Sequence, residues 1–255
     1  MTPINYNDNF HNAHFQNSIE SAKEVVPLLL SYFKPKTVLD IGCGLGTWLK
    51  IFEQYQCDIF GIDGDYVNQK DLVIEKSKFK PLDLNLKYNL EKKFDLVISL
   101  EVAEHILPEN AKTFIESMCV HSDVILFSAA IPGQEGTLHY NEQYNEYWIQ
   151  QFAQNGYKCI DFLRYKIWNN ENISWWYRQN ILVFIKETEI DNLSYELISV
   201  EKNQYPNTYI HPSLFEYKNQ KAIQLEKRVN ELEKLVNNPF SLFKYYLRKV
   251  KSILV

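Results

Sequence analysis

The chain is poor in the residues that mark several simple classes. It has 8 glycines and 2 methionines in 255 residues, too few for a glycine-repeat fibre or a low-complexity chain. Its four cysteines, Cys43, Cys57, Cys119 and Cys159, form no C-x-x-C pair and no dense secreted framework, which argues against disulfides and a zinc knuckle. They read as small buried hydrophobes. Positive charge is not in excess. The 27 Lys and Arg against 32 Asp and Glu give a net charge of -5, which disfavours a general nucleic-acid binder living on counterion release. The longest apolar stretch, around residues 25–33, is too short to span a bilayer. Residues 1–17 are polar and Asn-rich, without the basic and apolar segments of a signal peptide, so a cytoplasmic protein is expected.

What the chain does have is an apolar fraction of 45%, enough for a sizeable core, and an aromatic fraction of 15%. Four of its five tryptophans, Trp148, Trp168, Trp175 and Trp176, fall within one short stretch. Flat apolar faces of this kind stack on sugars and bases, although closing a core is their commoner use.

Apolar periodicity predicts a helix over 18–33, weakened at Pro27 and ended at Pro35. Strands follow at 37–41, 58–63, 78–82 (weak), 94–100 and 123–128, with helices at 48–54 and 108–118. Alternation of this kind implies a parallel sheet with right-handed crossovers. A long polar loop over 131–147 precedes a helix at 143–155 and two strand candidates, 158–168 and 180–186, expected to be antiparallel. Residues 188–213 read as a linker or capping loop. In the tail, Leu225, Val229, Leu232 and Val236 step by four, three and four, a short coiled-coil seam and a candidate homodimer contact. The last stretch, from 242, is basic and amphipathic, a candidate for peripheral contact with the inner face of a membrane.

The first strand runs directly into Gly42-Cys43-Gly44-Leu45-Gly46. A strand, a glycine turn and a helix make a nucleotide-binding construction, because the backbone can approach a ligand and the helix start offers free N–H donors. Asp63 ends the second strand about 20 residues on, where a ribose diol is gripped. The spacing is G-x-G-x-G, with Thr47 where a dinucleotide fold has its third glycine, which argues against a pyrophosphate cradle.

Through residues 38–47, Asp63, Leu82-Asp83-Leu84 and residues 94–106, the chain resembles the class I S-adenosylmethionine-dependent methyltransferases. The resemblance covers residues 20–187. It implies an α/β fold, a Rossmann-like seven-stranded sheet with helices on both faces and the last strand antiparallel, over residues 1–190. A linker or capping loop at 191–214 and a helical tail at 215–255 would follow. It further implies that Asp40, Gly42, Gly44 and Gly46 hold the methionine moiety, Asp63 and Gly64 the ribose, and Asp83 and Leu84 the adenine. Leu100 and Glu101 would line the sulfonium.

After the fourth strand comes Glu101-Val102-Ala103-Glu104-His105. Were this segment helical, Glu101, Glu104 and His105 would share a face. The string is similar to that of methyltransferases using a divalent metal to activate vicinal hydroxyls, the small-RNA 2′-O-methylating and ubiquinone-pathway groups. Glu101, Glu104, His105 and, after the fifth strand, His139 are the implied ligands, for Mg²⁺ or Mn²⁺. Without a metal, His105 or His139 is the candidate general base. The stretch P-G-Q-x-G-x-x-H-x-N-E-Q ahead of Tyr147-Trp148 resembles methyltransferases encoded with bacterial surface-polysaccharide genes, which act on sugars or a capsular phosphoramidate. Arg164 and Arg178 are candidate phosphate anchors, with surface ion pairing as the alternative. The expectation is methyl transfer to an oxygen of a sugar, nucleotide-linked sugar or phosphoramidate. The alternatives are a metal-independent N- or C-methyltransferase of a small metabolite, a small-RNA methyltransferase, and a non-catalytic scaffold.

Overall fold

A computed structural model describes residues 8–203, 208–237, 240 and 243. By its internal contacts the chain divides into two compact units, one up to Tyr209 and one from Ile210 on.

The first unit is built on seven strands. They are β1 (Thr37–Ile41), β2 (Asp58–Asp63), β3 (Phe79–Pro81), β4 (Leu96–Leu100), β5 (Val124–Ser128), β6 (Tyr157–Ile160) and β7 (Leu182–Lys186). Their order in the sheet is β3-β2-β1-β4-β5-β7-β6, with β1 to β5 parallel. Strand β7 runs antiparallel to both β5 and β6. The order reverses at β1 and β4, so their C-terminal ends open a crevice outside the sheet. Strands β1 and β4 are buried along nearly their whole length, as strands covered on both faces must be.

Helices cover both faces. On one side α1 (Asp8–Phe33), α2 (Thr47–Gln54), α5 (Leu163–Ile167), α6 (Trp175–Asn180) and α7 (Tyr195–Asn203) join a core that includes Val25, Leu49, Phe52, Ile98, Ile167 and Leu197. On the other, α3 (Ala111–Cys119) and α4 (Asn145–Ala153) pack Phe114, Trp148 and Phe152 on Val97, Phe127 and Phe184. Helix α1 is longer than its periodicity suggested and continues through Pro27.

Two stretches differ from the sequence reading. Residues 158–168 are not one long strand: pairing ends at Ile160, and α5 begins at Leu163. The apolar run that mimicked a strand is a buried helix turn, held by Arg164 against Asp161. The presumed linker contains α7, which seats Leu197 in the core. The second unit contains α8 (Pro212–Val236), started by Pro212 in its first turn and by the His211 side chain, which accepts from the Ser213 N–H. The basic amphipathic end, apart from Phe243, lies outside the described residues. No helix among the described residues is long and apolar enough to cross a membrane.

Candidate functional site

The turn leaving β1 is tied to its neighbour: Gly42 N–H and Cys43 N–H both donate to the Ile62 carbonyl, at 2.8 and 3.2 Å. Gly44 has φ of 53°, and a Cβ added there would meet nothing within 4 Å. Both facts matter. The backbone conformation favours glycine, and the space above it is open, as a ligand cradle requires. Gly46 caps α2 from the left-handed region, and Thr47 behind it hydrogen-bonds Ser18 of α1 at 2.8 Å.

Two acids face this turn. Asp40 is buried, and burial first, then the nearby Asp63 charge, holds its carboxyl well above the usual carboxylate range. Asp63 ties the turn together: Oδ2 accepts from Gly44 N–H at 2.7 Å, and Oδ1 accepts from Gly64 N–H at 2.7 Å. The Tyr66 hydroxyl also donates to Oδ1, at 2.5 Å. That tyrosine is 80% exposed and lies across Gly64, at the place where the sequence pattern puts a ribose. Asp83 closes a local turn by accepting from Asn85 N–H, while Leu84 and Leu100 are buried.

The E-x-x-E-H segment is not an α-helix. Glu101 takes a positive φ of 56°, and residues Ala103–His105 form a single 3₁₀ turn. The chain therefore reverses between the two glutamates, and they do not share a helical face. Glu101 turns its carboxylate toward Gln134 and Asn180, whose side-chain amides donate to it at 2.7 and 3.1 Å. The Asn180 side-chain amide also donates to Gln134 Oε1 at 2.9 Å, and Gln179 Nε2 donates to Asn180 Oδ1 at 3.0 Å. Burial raises the Glu101 pKa, and these donors pull it part of the way back.

Glu104, His105 and His139 do converge, with ligand atoms within 4.8 Å of one another. Glu101 is not in that group. Glu104 is 1% exposed, and its Oε2 has no hydrogen-bond partner among the described residues. Burial first, then Glu101, pushes its carboxyl well above the usual range. The two imidazoles meet edge to face with centroids 4.8 Å apart. Desolvation of the ring first, then the neighbouring His139, lowers the His105 pKa. Two imidazoles beside a stranded carboxyl oxygen are a donor set that suits a divalent cation.

Glu142 shapes the loop around them. It accepts from Gly133 N–H at 2.8 Å and Glu135 N–H at 2.7 Å, and it holds His139 Nδ1 at 2.9 Å. Gly136 passes directly beside His139 Nε2, where a Cβ would overlap the ring. Tyr140 and Asn141 then return their N–H groups to the Glu104 carbonyl at 2.9 and 3.0 Å, so the loop is stitched to the 3₁₀ turn.

The sequence reading missed Gln134, Asn180, Glu142 and Tyr66. Gln134 and Glu142 both stand within the P-G-Q-x-G-x-x-H-x-N-E-Q loop, but that string alone gave neither of them a role. Arg164 falls differently, whereas Trp148 takes the commoner, core-closing use. Arg164 is buried and spent on Asp161, the Gln179 carbonyl and the Tyr209 ring, so it anchors neither an external phosphate nor a surface ion pair. Arg178 donates to the Trp168 carbonyl at 3.1 Å. Tyr140 and Tyr144, in the stretch that follows His139, are exposed.

Comparison with known proteins bears on the family and the fold. A family model described as a methyltransferase domain matches residues 13–180. No curated protein matches the chain. Among solved structures it is similar to an amino pentose methyltransferase of calicheamicin biosynthesis from Micromonospora echinaspora, with SAM bound. There the identity is 12%, over 73% of this chain and 99% of that one, with a TM-score of 0.53. It is similar too to the plantazolicin methyltransferase BpumL, in complex with a pentazolic desmethyl analogue and SAH. The identity is 18%, over 70% and 88% of the two chains, with a TM-score of 0.50. Magnesium protoporphyrin IX methyltransferase from Synechocystis gives 19% over 67% and 84%, with a TM-score of 0.49. For the first two, at these identities, the likeness is one of fold. The matched model spans most of the first unit, glycine turn and acidic strand end included: the chain belongs to the methyltransferase-domain family and has the class I, S-adenosylmethionine-dependent architecture.

Proposed function

We propose that this protein transfers a methyl group from S-adenosylmethionine to an oxygen of a sugar, nucleotide-linked sugar or phosphoramidate in a bacterial surface-glycan precursor, with a divalent cation at the acceptor. The observation that carries the cation is Glu104 Oε2, a buried carboxyl oxygen without a hydrogen-bond partner among the described residues, beside two imidazoles. Buried polar atoms are rarely left in this condition unless something else satisfies them.

The cofactor fits the residues present. Open space above Gly44 and the buried acid Asp40 suit the aminoacyl end, with Gly42 and Gly46 completing the turn. Asp63 and Gly64 would hold the ribose, with Tyr66 leaving Oδ1 to make room. Asp83 and Leu84 would serve the adenine, Leu100 and Glu101 the sulfonium end. Bound S-adenosylmethionine supplies an activated methyl group, and the chain supplies position and water exclusion.

A cation such as Mg²⁺ or Mn²⁺, when bound, would lower the pKa of an acceptor hydroxyl. Glu104, His105 and His139 would hold it, and Glu142 would fix the His139 ring through Nδ1. Glu101, gripped by Gln134 and Asn180, would orient the acceptor. Tyr140 and Tyr144 offer exposed ring faces for a sugar. The glycan assignment draws on the P-G-Q-x-G-x-x-H-x-N-E-Q loop; a cytoplasmic location and membrane contact of the tail belong to the same proposal.

One observation favours a second reading, metal-independent N- or C-methylation of a small metabolite. Glu101 is held apart from the cluster, as a carboxylate that binds an amine would be. Transfer of labelled methyl groups to a panel of nucleotide sugars, with and without chelator, separates the two. The proposal expects turnover lost on chelation and restored by Mn²⁺ or Mg²⁺. Turnover indifferent to chelation, on an amine or carbon acceptor, would establish the second reading.

A further inference from the structure

Helix α8 is amphipathic without a described partner for its apolar stripe. Leu225, Val229, Leu232 and Val236 are 58%, 52%, 42% and 67% exposed, and every residue from Asn219 to Lys234 is exposed. In heptad terms Ala222, Val229 and Val236 occupy the a positions, and Leu225 and Leu232 the d positions. Valine at a with leucine at d is the combination that favours two parallel strands. The preceding d position is Lys218, so the apolar seam starts at Ala222.

The flanking charges select both the partner and the direction. Lys221 and Arg228 fall at g, Glu226 and Glu233 at e. In a parallel pair each g residue faces the e residue five positions on in the other strand. Lys221 then meets Glu226, Arg228 meets Glu233, and the pairing occurs twice by symmetry. In an antiparallel pair g faces g and e faces e, so cations would face cations and carboxylates carboxylates. Arg228 also reaches Glu231 on its own helix at 3.2 Å, on the face away from the seam. Exposed ion pairs add little affinity, but like charges across a seam exclude an arrangement.

We infer that α8 binds α8 of a second copy of this chain as a parallel, in-register two-stranded coiled coil. The seam is short, so the association is reversible and follows concentration. Both chains leave the coil from the same end.

Sedimentation velocity on the full chain tests this. The wild type should pass from monomer to dimer as concentration rises, and Leu232→Glu should weaken that association by at least about tenfold, the order of one buried leucine. Direction is read by two charge variants, Glu226→Lys with Glu233→Lys, and Lys221→Glu with Arg228→Glu. Each alone should lose self-association, and an equal mixture should form heterodimers. Unchanged methyltransferase-unit melting in all variants shows that folding is intact. A monomer at every concentration would overturn the proposal, as would a dimer indifferent to Leu232→Glu. Charge variants that self-associate like the wild type would show an antiparallel pair and overturn the direction.

Discussion

The two sides of the crevice are built on different principles. On the cofactor side, backbone does the positioning. The Gly42–Gly46 turn hangs from the Ile62 carbonyl, and Asp63 clamps Gly44 and Gly64 through their N–H groups. On the proposed acceptor side, the functional side chains are held by other side chains. Glu101 is set by the amides of Gln134 and Asn180, and His139 by Glu142. A backbone-built site demands residue types at fixed spacing. A site built from side chains demands only that distant residues arrive together. Substitutions should therefore separate the two sides cleanly.

The largest effect is expected at Asp63. Asp63→Ala removes the clamp on Gly44, and binding of S-adenosylhomocysteine measured by calorimetry should weaken by about 100-fold, the scale of two charge-assisted hydrogen bonds. A change under about threefold would break the assignment of this side. Next comes Glu104→Gln, which should lower turnover by up to about 100-fold while leaving the cofactor affinity within about twofold. Equal losses in both would mean that the two sides are not separable.

Glu142→Gln sharpens the comparison, because Glu142 is a positioning residue. It should weaken Mn²⁺ binding by about tenfold and turnover in proportion, without altering cofactor affinity. Tyr66→Phe has the opposite sign. Removing the hydroxyl that donates to Asp63 Oδ1 should tighten S-adenosylhomocysteine binding by about two- to fivefold, the scale of one modest hydrogen bond. Weaker binding would mean that Tyr66 supports the cofactor rather than yields to it.

The smallest effect lies outside both sides. His121 is buried, accepts from Leu90 N–H at Nε2 and contacts the Ser117 carbonyl through Nδ1, a pattern only the neutral ring satisfies. Burial lowers its pKa below that of an unfolded histidine. The unfolded chain then binds the proton first as pH falls. Stability is complete above about 6.5 and declines as pH drops through the lowered folded value. The melting temperature should fall between neutral and mildly acid pH, and His121→Gln should flatten that slope. An equal slope in the variant would assign the acid sensitivity elsewhere.

The same contrast explains what could be read from the residues. Strands β1 and β2, the glycine turn and Asp63 are legible because burial on both faces and a left-handed backbone restrict the residues allowed. The pairing of Gln134 with Asn180 is not legible, because β7 inserts between β5 and β6 and joins residues 46 apart in the chain. Neither is the reversal at Glu101, since no periodic rule anticipates a glutamate at positive φ. The stretch after Ile160 misleads for a third reason. Phe162, Leu163, Ile167 and Trp168 are apolar enough for a strand, and only the buried pair of Asp161 with Arg164, three residues apart, betrays a helical turn.

The central claim is that Glu104, His105 and His139 form a divalent-cation site. Calorimetric titration of Mn²⁺ into the chelator-treated full chain tests it most directly, with Glu104→Gln alongside. The account predicts one saturable Mn²⁺ site per chain, lost in Glu104→Gln. No saturable binding, or binding unchanged in the variant, would contradict it.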